Sequence, residues 1–316
     1  MNVLVYGSGA VGLGISASLL DCGCNVDLIA SGSTKEQLCK EGLSRIGLFK
    51  EIHIPPERIQ VYQNLKELNR KKYDYILICT KTITNHKNAY ELSIHKELLK
   101  PYSKIIIFQN GWGNDEPYLK YFERNQVYSA RVITGFSRPQ RNISEVTVHA
   151  SPILLGSLHH ESTDCLIPLA DAINDGGIPC EVTREVDKAL WAKMLYNCTL
   201  NPLGAVLGVC YGKLTECENS IFIMNRIIEE IYSVMKAAGY KTYWETAEDY
   251  KKVFYEDLVP ATYNHRSSTL QDIEKKIKTE IDTLNGSIIK LSKEYNIAVP
   301  YNEMIHHLIK TKESYF

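Results

Sequence analysis

No stretch of the 316 residues stays apolar long enough to cross a bilayer, so a membrane-spanning protein is not expected. A surplus of one charge is missing too: 36 Lys+Arg stand against 37 Asp+Glu, a formal net charge of −1. Such a chain has no basic surface to draw nucleic acid or an acidic membrane, and neither is expected as a partner. The opening MNVLVYGSGAVG lacks the charged, greasy and small-residue order of a secretory leader. It runs straight into a strand pattern, and the expected location is cytoplasmic. Nine cysteines stand at 22, 24, 39, 79, 165, 180, 198, 210 and 217, but the close pair Cys22 and Cys24 has no second pair with which to build a zinc site. Reduced core thiols are expected, and no metal. Internal repeats and low-complexity segments are lacking as well.

What is present is ordinary globular composition, 44% hydrophobic and 23% charged, with enough length for two domains. The first half alternates β-branched runs at 2–6, 25–30, 75–79 and 104–108 with helical patterns near 10–22, 34–41 and 85–98. That order implies parallel strands joined by right-handed crossovers. Further strands near 127–134, 145–156 and 179–183 fit the sheet edge. From about residue 184 helices dominate, at 185–201, 217–238, 243–257 and 263–295. The last carries Leu270, Ile273, Ile277, Ile281, Leu284, Ile288 and Leu291 at spacings of three and four. The expected architecture is therefore α/β over 1–183 followed by an all-α domain over 184–316.

Gly7, Gly9 and Gly12 form G-x-G-x-x-G between a strand and a helix, with a second strand completing a βαβ unit. In such a Rossmann-type loop the glycines allow a tight turn, close approach of a pyrophosphate, and close packing of helix on strand. The phosphates then sit on the helix N-terminus. Cofactor contacts are expected from Gly7, Ser8, Gly9, Ala10, Val11 and Gly12. An acid at the end of the second strand marks an NAD site, and this chain has Ala30-Ser31-Gly32-Ser33-Thr34-Lys35 there instead. Hydroxyls and one cation could hold a 2′-phosphate, which favours NADP; a Ser/Thr cap for the next helix accounts for the same residues.

LWAKMLYNCTLNP, 190–202, poses a different problem. Lys193, Asn197 and Asn201 fall at i, i+4 and i+8, one narrow polar stripe on an apolar helix. A solvent-facing stripe would be ordinary, but large apolar residues flank it on both sides, and Pro202 should end or kink the helix. A cleft wall fits better, since a buried ammonium needs a partner or a purpose. Ser268 and Glu280, read on one long helix, would lie about 18 Å apart along its axis. Both therefore cannot touch one small atom, and Glu280 alone reads as a solvated helix charge. Asn110, Gly111 and Gly113 turn the chain at the carboxyl edge of the expected sheet, where ligands of open α/β sheets bind.

Seven short pieces in order resemble the ketopantoate reductase (2-dehydropantoate 2-reductase) family: GSGAVG at 7–12, CTK at 79–81, QNGWGN at 109–114, LWAKMLYNCTLNPLGA at 190–205, SSTLQD at 267–272, TEIDTLNG at 279–286 and AVP at 298–300. The resemblance covers nearly the whole chain. It implies a C-terminal domain like that of 6-phosphogluconate dehydrogenase, and NADPH-dependent reduction of 2-dehydropantoate to (R)-pantoate on the route to coenzyme A. By the same match Lys193 is the general acid and Glu280 its supporting carboxylate. Asn110 and Glu280 would reach both cofactor and active site, Asn197, Asn201 and Ser268 the substrate, and Lys81 and Ser31 the cofactor.

The implied chemistry agrees with the residues. Hydride arriving at C2 of a keto acid leaves negative charge on the carbonyl oxygen, and a cation aimed there stabilises the transition state more than the ground state. Asparagines add directional hydrogen bonds without neutralising it. Two positions depart from the family: a basic residue is common where this chain has Ser31, and an asparagine where it has His265. A relative acting on another 2-keto acid, or a non-catalytic NADP-binding sensor, are the rival readings. Apolar helix faces serve a core or a dimer contact equally well, so a homodimer stays open.

Overall fold

Successive side chains of Val3, Leu4, Val5 and Tyr6 leave a strand on opposite sides, and in the computed structural model all four are buried. The structure describes residues 1–68 and 72–316. They form two compact units, Met1–Gln109 with Asn114–Val186, and Asn110–Gly113 with Asp187–Phe316.

The first unit begins with β1 (Asn2–Tyr6), α1 (Ala10–Asp21), β2 (Asn25–Ile29), α2 (Gly32–Glu41), β3 (Leu43–Gly47), β4 (Ile52–Ile54) and β5 (Gln60–Tyr62). It continues with β6 (Tyr73–Ile78), α3 (Asn85–Ile94), β7 (Leu99–Ile107), α4 (Glu116–Leu119) and β8 (Val127–Arg131). Then follow β9 (Thr134–Gln140), β10 (Ile143–His149), β11 (Ile153–Gly156), α5 (Ile167–Asp175) and β12 (Cys180–Val182). Eight strands make one sheet in the order β12-β11-β8-β7-β6-β1-β2-β5. From β5 to β8 all neighbours are parallel, and β11 runs antiparallel to β8. Val3, Val5, Leu77 and Ile106 pack with α1 and α5 on one face; Leu4, Tyr6, Ile76, Ile78, Ile105 and Ile107 pack with α3 on the other. This is the expected doubly wound α/β sheet.

Two of the expected edge segments divide. β8, β11 and β12 do extend the main sheet, while β9 and β10 join β3 and β4 in a separate four-stranded sheet, order β4-β3-β10-β9. The three-residue β4 and the glycine-flanked β3 carry too few alternations to be legible in sequence. Phe136 on β9 packs against α1 at Gly14, and Ser144 on β10 donates to the Ala10 carbonyl at 2.7 Å.

The second unit is helical: α6 (Val186–Leu207), α7 (Tyr211–Leu214), α8 (Glu218–Ala238), α9 (Ala247–Val253), α10 (Val259–Ala261), α11 (Ser268–Glu274), α12 (Asn285–Glu294) and α13 (Pro300–Glu313). Its core joins Trp191, Met194, Leu195 and Cys198 of α6 to Met224, Ile227, Ile228 and Ile231 of α8 and to Ile288 of α12.

Two expectations fail here for identifiable reasons. The helix does not stop at Pro202 but runs on to Leu207. Proline has no N–H for the Cys198 carbonyl one turn back, and the Nδ2 of Asn285, fully buried, donates to that oxygen at 3.0 Å instead. Nor is 263–295 one helix: α11 stops at Glu274, and Lys276 takes a left-handed φ of 54°. The N–H of Thr279 goes to the Glu313 carboxylate at 2.7 Å rather than back along a helix. Three lysines at 275, 276 and 278 add like-charge repulsion to a continued helix.

The Asn285 bond yields a stability prediction. Asn285→Ala strands the Cys198 carbonyl and the Asn302 Oδ1, which also accepts from Asn285 at 3.0 Å. Two buried acceptors without donors should cost about 2–4 kcal/mol, read as a lower urea midpoint; an unchanged midpoint would show that Pro202 needs no such substitute.

Candidate active site

In the first unit the glycine loop leads from β1 into α1. Gly7 has φ +122°, and a Cβ there would come within 2.7 Å of the Cys79–Thr80 backbone. A Cβ at Gly12 would lie 2.0 Å from the Gly7 carbonyl oxygen, so turn and helix touch. Gly9 differs. The nearest atom to a Cβ there is the Cys79 oxygen at 3.8 Å, an ordinary contact, so the protein itself has room for a methyl group. The space over Gly9 is the cradle a dinucleotide phosphate would fill. Gly9 caps α1 without a side-chain hydrogen bond, and no acidic residue stands in the first turn. The first-turn N–H groups of Ala10, Val11 and Gly12 thus suit an anion.

Ser31, exposed, is the N-cap of α2, and its side chain makes no capping bond. Thr34 is buried, and Lys35 donates to Glu67 at 3.0 Å. Of the hydroxyls expected at this end, Ser31 and Ser33 are therefore the exposed ones. Lys81 is half-buried at the start of a short turn beyond β6, next to Thr80. Beneath it lies a polar network that sequence reasoning missed. Gln109 donates to the Thr80 carbonyl at 2.8 Å and to Asn85 at 2.7 Å, and Asn88 donates to Thr80 Oγ1 at 2.8 Å. Isolated amides carry no periodic signal that would have revealed it.

In the second unit three expected residues meet. Lys193 Nζ donates to Asn110 Oδ1 at 2.5 Å, and Asn110 Nδ2 donates to Glu280 Oε2 at 3.2 Å. One amide thus offers its oxygen to the cation and its nitrogen to the carboxylate. All three side chains sit in half-buried residues. Asn110 belongs to this unit because its segment is pinned there. Trp112 N–H donates to the Thr283 carbonyl at 2.9 Å, and Ser287 donates to the Trp112 carbonyl at 2.8 Å. The Trp112 ring packs on Trp191 and Tyr240, with centroids 4.7 and 4.9 Å away. Gly111 takes φ +101° directly against Thr283.

Glu280 stands on a loop instead of a helix, between two fixed neighbours. Thr279 gives both its N–H and its hydroxyl to Glu313, at 2.7 and 2.6 Å, and its hydroxyl accepts from Ile281 N–H at 3.2 Å. Glu313, itself buried, looks in sequence like any charge in the last turn of a helix.

Further along α6, Asn201 is buried and its Oδ1 accepts from the Tyr211 hydroxyl at 2.6 Å. Burial holds that hydroxyl protonated well above the usual tyrosine range. The Asn201 carbonyl accepts from Ser267, which also caps α11 by accepting from Leu270 N–H at 3.0 Å. Of the serine pair, buried Ser267 therefore holds structure, and Ser268 is exposed. The His265 ring packs against Tyr211 with centroids 5.0 Å apart and planes tilted by 48°, and burial lowers its pKa. Asn197, half-buried, lies one helical turn from each of Lys193 and Asn201. No cluster of metal-ligating side chains occurs among the described residues.

The chain matches two family models, "Ketopantoate reductase PanE/ApbA" over residues 3–159 and "Ketopantoate reductase PanE/ApbA C terminal" over residues 185–313. It is 33% identical to the 2-dehydropantoate 2-reductase of Aquifex aeolicus, an alignment covering 99% of this chain and 97% of that one. With the enzyme of the same name from Pyrococcus horikoshii it shares 27% identity, over 99% of this chain and 98% of its relative. Among solved structures, a ketopantoate reductase of the PanE/ApbA family from Ralstonia eutropha superposes with TM-score 0.86 at 25% identity, covering 100% of this chain and 99% of the other. A D-mandelate dehydrogenase held with NADH and anilino(oxo)acetate has the same fold, with TM-score 0.87 at 21% identity and the same coverage.

Proposed function

The chain belongs to the ketopantoate reductase family, and on that premise we propose that it reduces 2-dehydropantoate to (R)-pantoate with NADPH. Lys193 is the general acid. The observation that carries this reading is the short Lys193–Asn110 bond, with Glu280 on the far side of the same amide.

Bound NADPH supplies the hydride that reaches C2 of the keto acid. As the carbonyl oxygen gains charge, the Lys193 ammonium stabilises it and passes over one proton, so the alkoxide leaves as the hydroxyl of the product. Asn110 aims the ammonium, and Glu280, accepting from the other end of the same amide, holds Asn110 in that orientation. Asn201, with Oδ1 taken by Tyr211, presents its Nδ2 to the substrate; Asn197 and the Ser268 hydroxyl complete the polar wall. Gly9 and the first turn of α1 receive the pyrophosphate, with Lys81 beside them.

A second reading is favoured by His265, which packs on Tyr211 where the family usually has an asparagine. It is a reductase for a different branched 2-keto acid, and the D-mandelate dehydrogenase of the same fold makes that chemistry familiar for the scaffold. One assay separates the readings: NADPH oxidation across a panel of 2-keto acids, repeated with NADH. Ketopantoate should give the highest kcat/KM. A tenfold preference for another acid transfers the assignment to it, and no turnover of any acid leaves a nucleotide sensor.

Ser31 provides a cofactor test. Ser31→Asp should penalise NADPH relative to NADH by about fivefold or more, because like charges about 4 Å apart repel by roughly 1–4 kcal/mol between bulk-water and near-surface dielectric. An unaltered ratio of the two kcat/KM values would put the 2′-phosphate elsewhere.

A further inference from the structure

Where the family commonly shows a basic residue the chain has Ser31, and Lys35, the one cation of 31–35, is bonded to Glu67. A 2′-phosphate at that end of the cofactor would meet hydroxyls and no cation from α2. The second sheet supplies one. Arg138, exposed on β9, donates through Nη1 to the Ser8 carbonyl of the glycine loop at 2.9 Å. Ser8 stands two residues beyond the end of β1 and Ser31 two beyond the end of β2, and Tyr6 and Ile29 at those ends are register partners. Both serines therefore lie at the same edge of adjacent parallel strands.

Arg138 has a cationic neighbour, Arg141, at the tip of the same hairpin; partial burial and then this neighbour push its pKa down. Neither arginine has a carboxylate partner among the described residues. Adjacent cations repel unless an anion lies between them, and a guanidinium with one N–H on a carbonyl keeps others for a phosphate. The hairpin is held in place: Ser144 donates to the Ala10 carbonyl at 2.7 Å, and Asn142 donates to the Gly42 carbonyl at 3.1 Å.

We propose that Arg138, with Arg141 beside it, binds the 2′-phosphate of the cofactor and makes the chain select NADPH over NADH. The inference rests on the reading of the glycine loop as a dinucleotide site. β9 takes the part that a basic residue after β2 plays elsewhere, so residues 30–35, which favour NADP through hydroxyls alone once Lys35 is bonded to Glu67, are only part of the site.

The test is a titration of NADPH and of NADH onto the wild-type chain, Arg138→Ala, Arg138→Lys and Arg141→Ala. Arg138→Ala should weaken NADPH about ten- to hundredfold, the range of a charge-assisted hydrogen bond, and leave NADH within about twofold. Arg138→Lys should keep part of the affinity, as a point charge without the fork. Arg141→Ala should show a smaller loss, again for NADPH alone. An equal loss for both dinucleotides, or none, overturns the assignment, since a guanidinium that only steadies the Ser8 turn would affect both alike. A wild-type chain that binds neither dinucleotide overturns the underlying cofactor reading, and this inference with it.

Discussion

Lys193→Ala is expected to lower kcat by roughly two to four orders of magnitude, the range for loss of a positioned acid that also stabilises charge. Affinity for NADPH should stay nearly constant, because Gly7 to Gly12, Ser31 and Lys81 belong to the other unit of the chain. The physical reason for so large an effect is that alanine removes two things together. It deletes the proton donor, and it leaves Asn110 Oδ1 and the Glu280 carboxylate facing the substrate oxygen without a cation. Water admitted in place of the side chain can donate a hydrogen bond but brings no charge, so residual turnover should persist at a low level. Single-turnover NADPH oxidation and a separate cofactor titration distinguish the two quantities. Wild-type turnover in the mutant would remove Lys193 from the chemistry.

The second large effect separates two glycines of the same motif by the different tasks the sequence pattern gives them. Gly12→Ala puts a methyl group 2.0 Å from the Gly7 carbonyl oxygen, and both are backbone positions that cannot swing aside. Turn and helix must separate, so the protein without cofactor should lose about 1–3 kcal/mol, as overpacked sites do, and NADPH affinity should collapse with it. Gly9→Ala is the control. Its methyl would meet nothing of the chain closer than 3.8 Å, so stability should change by no more than about 0.5 kcal/mol while NADPH binding still falls. Urea unfolding and NADPH titration on both variants measure this. Equal destabilisation by the two would mean that Gly9 serves the fold and not a ligand.

The α/β order and the helical second half were legible because their apolar periods are long and regular. The polar stripe was legible for the same reason: Lys193, Asn197 and Asn201 break a periodic pattern, and only a regular background makes such a break visible. What failed depends on partners distant in sequence. Pro202 ends a helix by local rules, yet α6 continues through it because Asn285, 83 residues later, bonds the carbonyl that proline leaves without a donor. Ile277, Ile281 and Leu284 keep helical spacing and by local rules put Glu280 on a helix; the buried carboxylate of Glu313 claims the Thr279 N–H and breaks the run. Asn110 looked like an ordinary turn residue, and its place came from resemblance, since nothing near it in sequence announces a bond to a lysine in α6. Nothing local singles out Arg138: β9 is an edge strand of the second sheet, its outer half is exposed, and it shows no clean apolar alternation.

A crystal structure of the chain with NADP+ and a bound 2-keto acid or its hydroxy product tests the central claim most directly. The account predicts Lys193 Nζ within about 3 Å of the oxygen on C2, still bonded to Asn110, with the substrate carboxylate turned toward Asn197, Asn201 and Ser268. An ammonium pointing into solvent, with that oxygen held by some other donor, would contradict it.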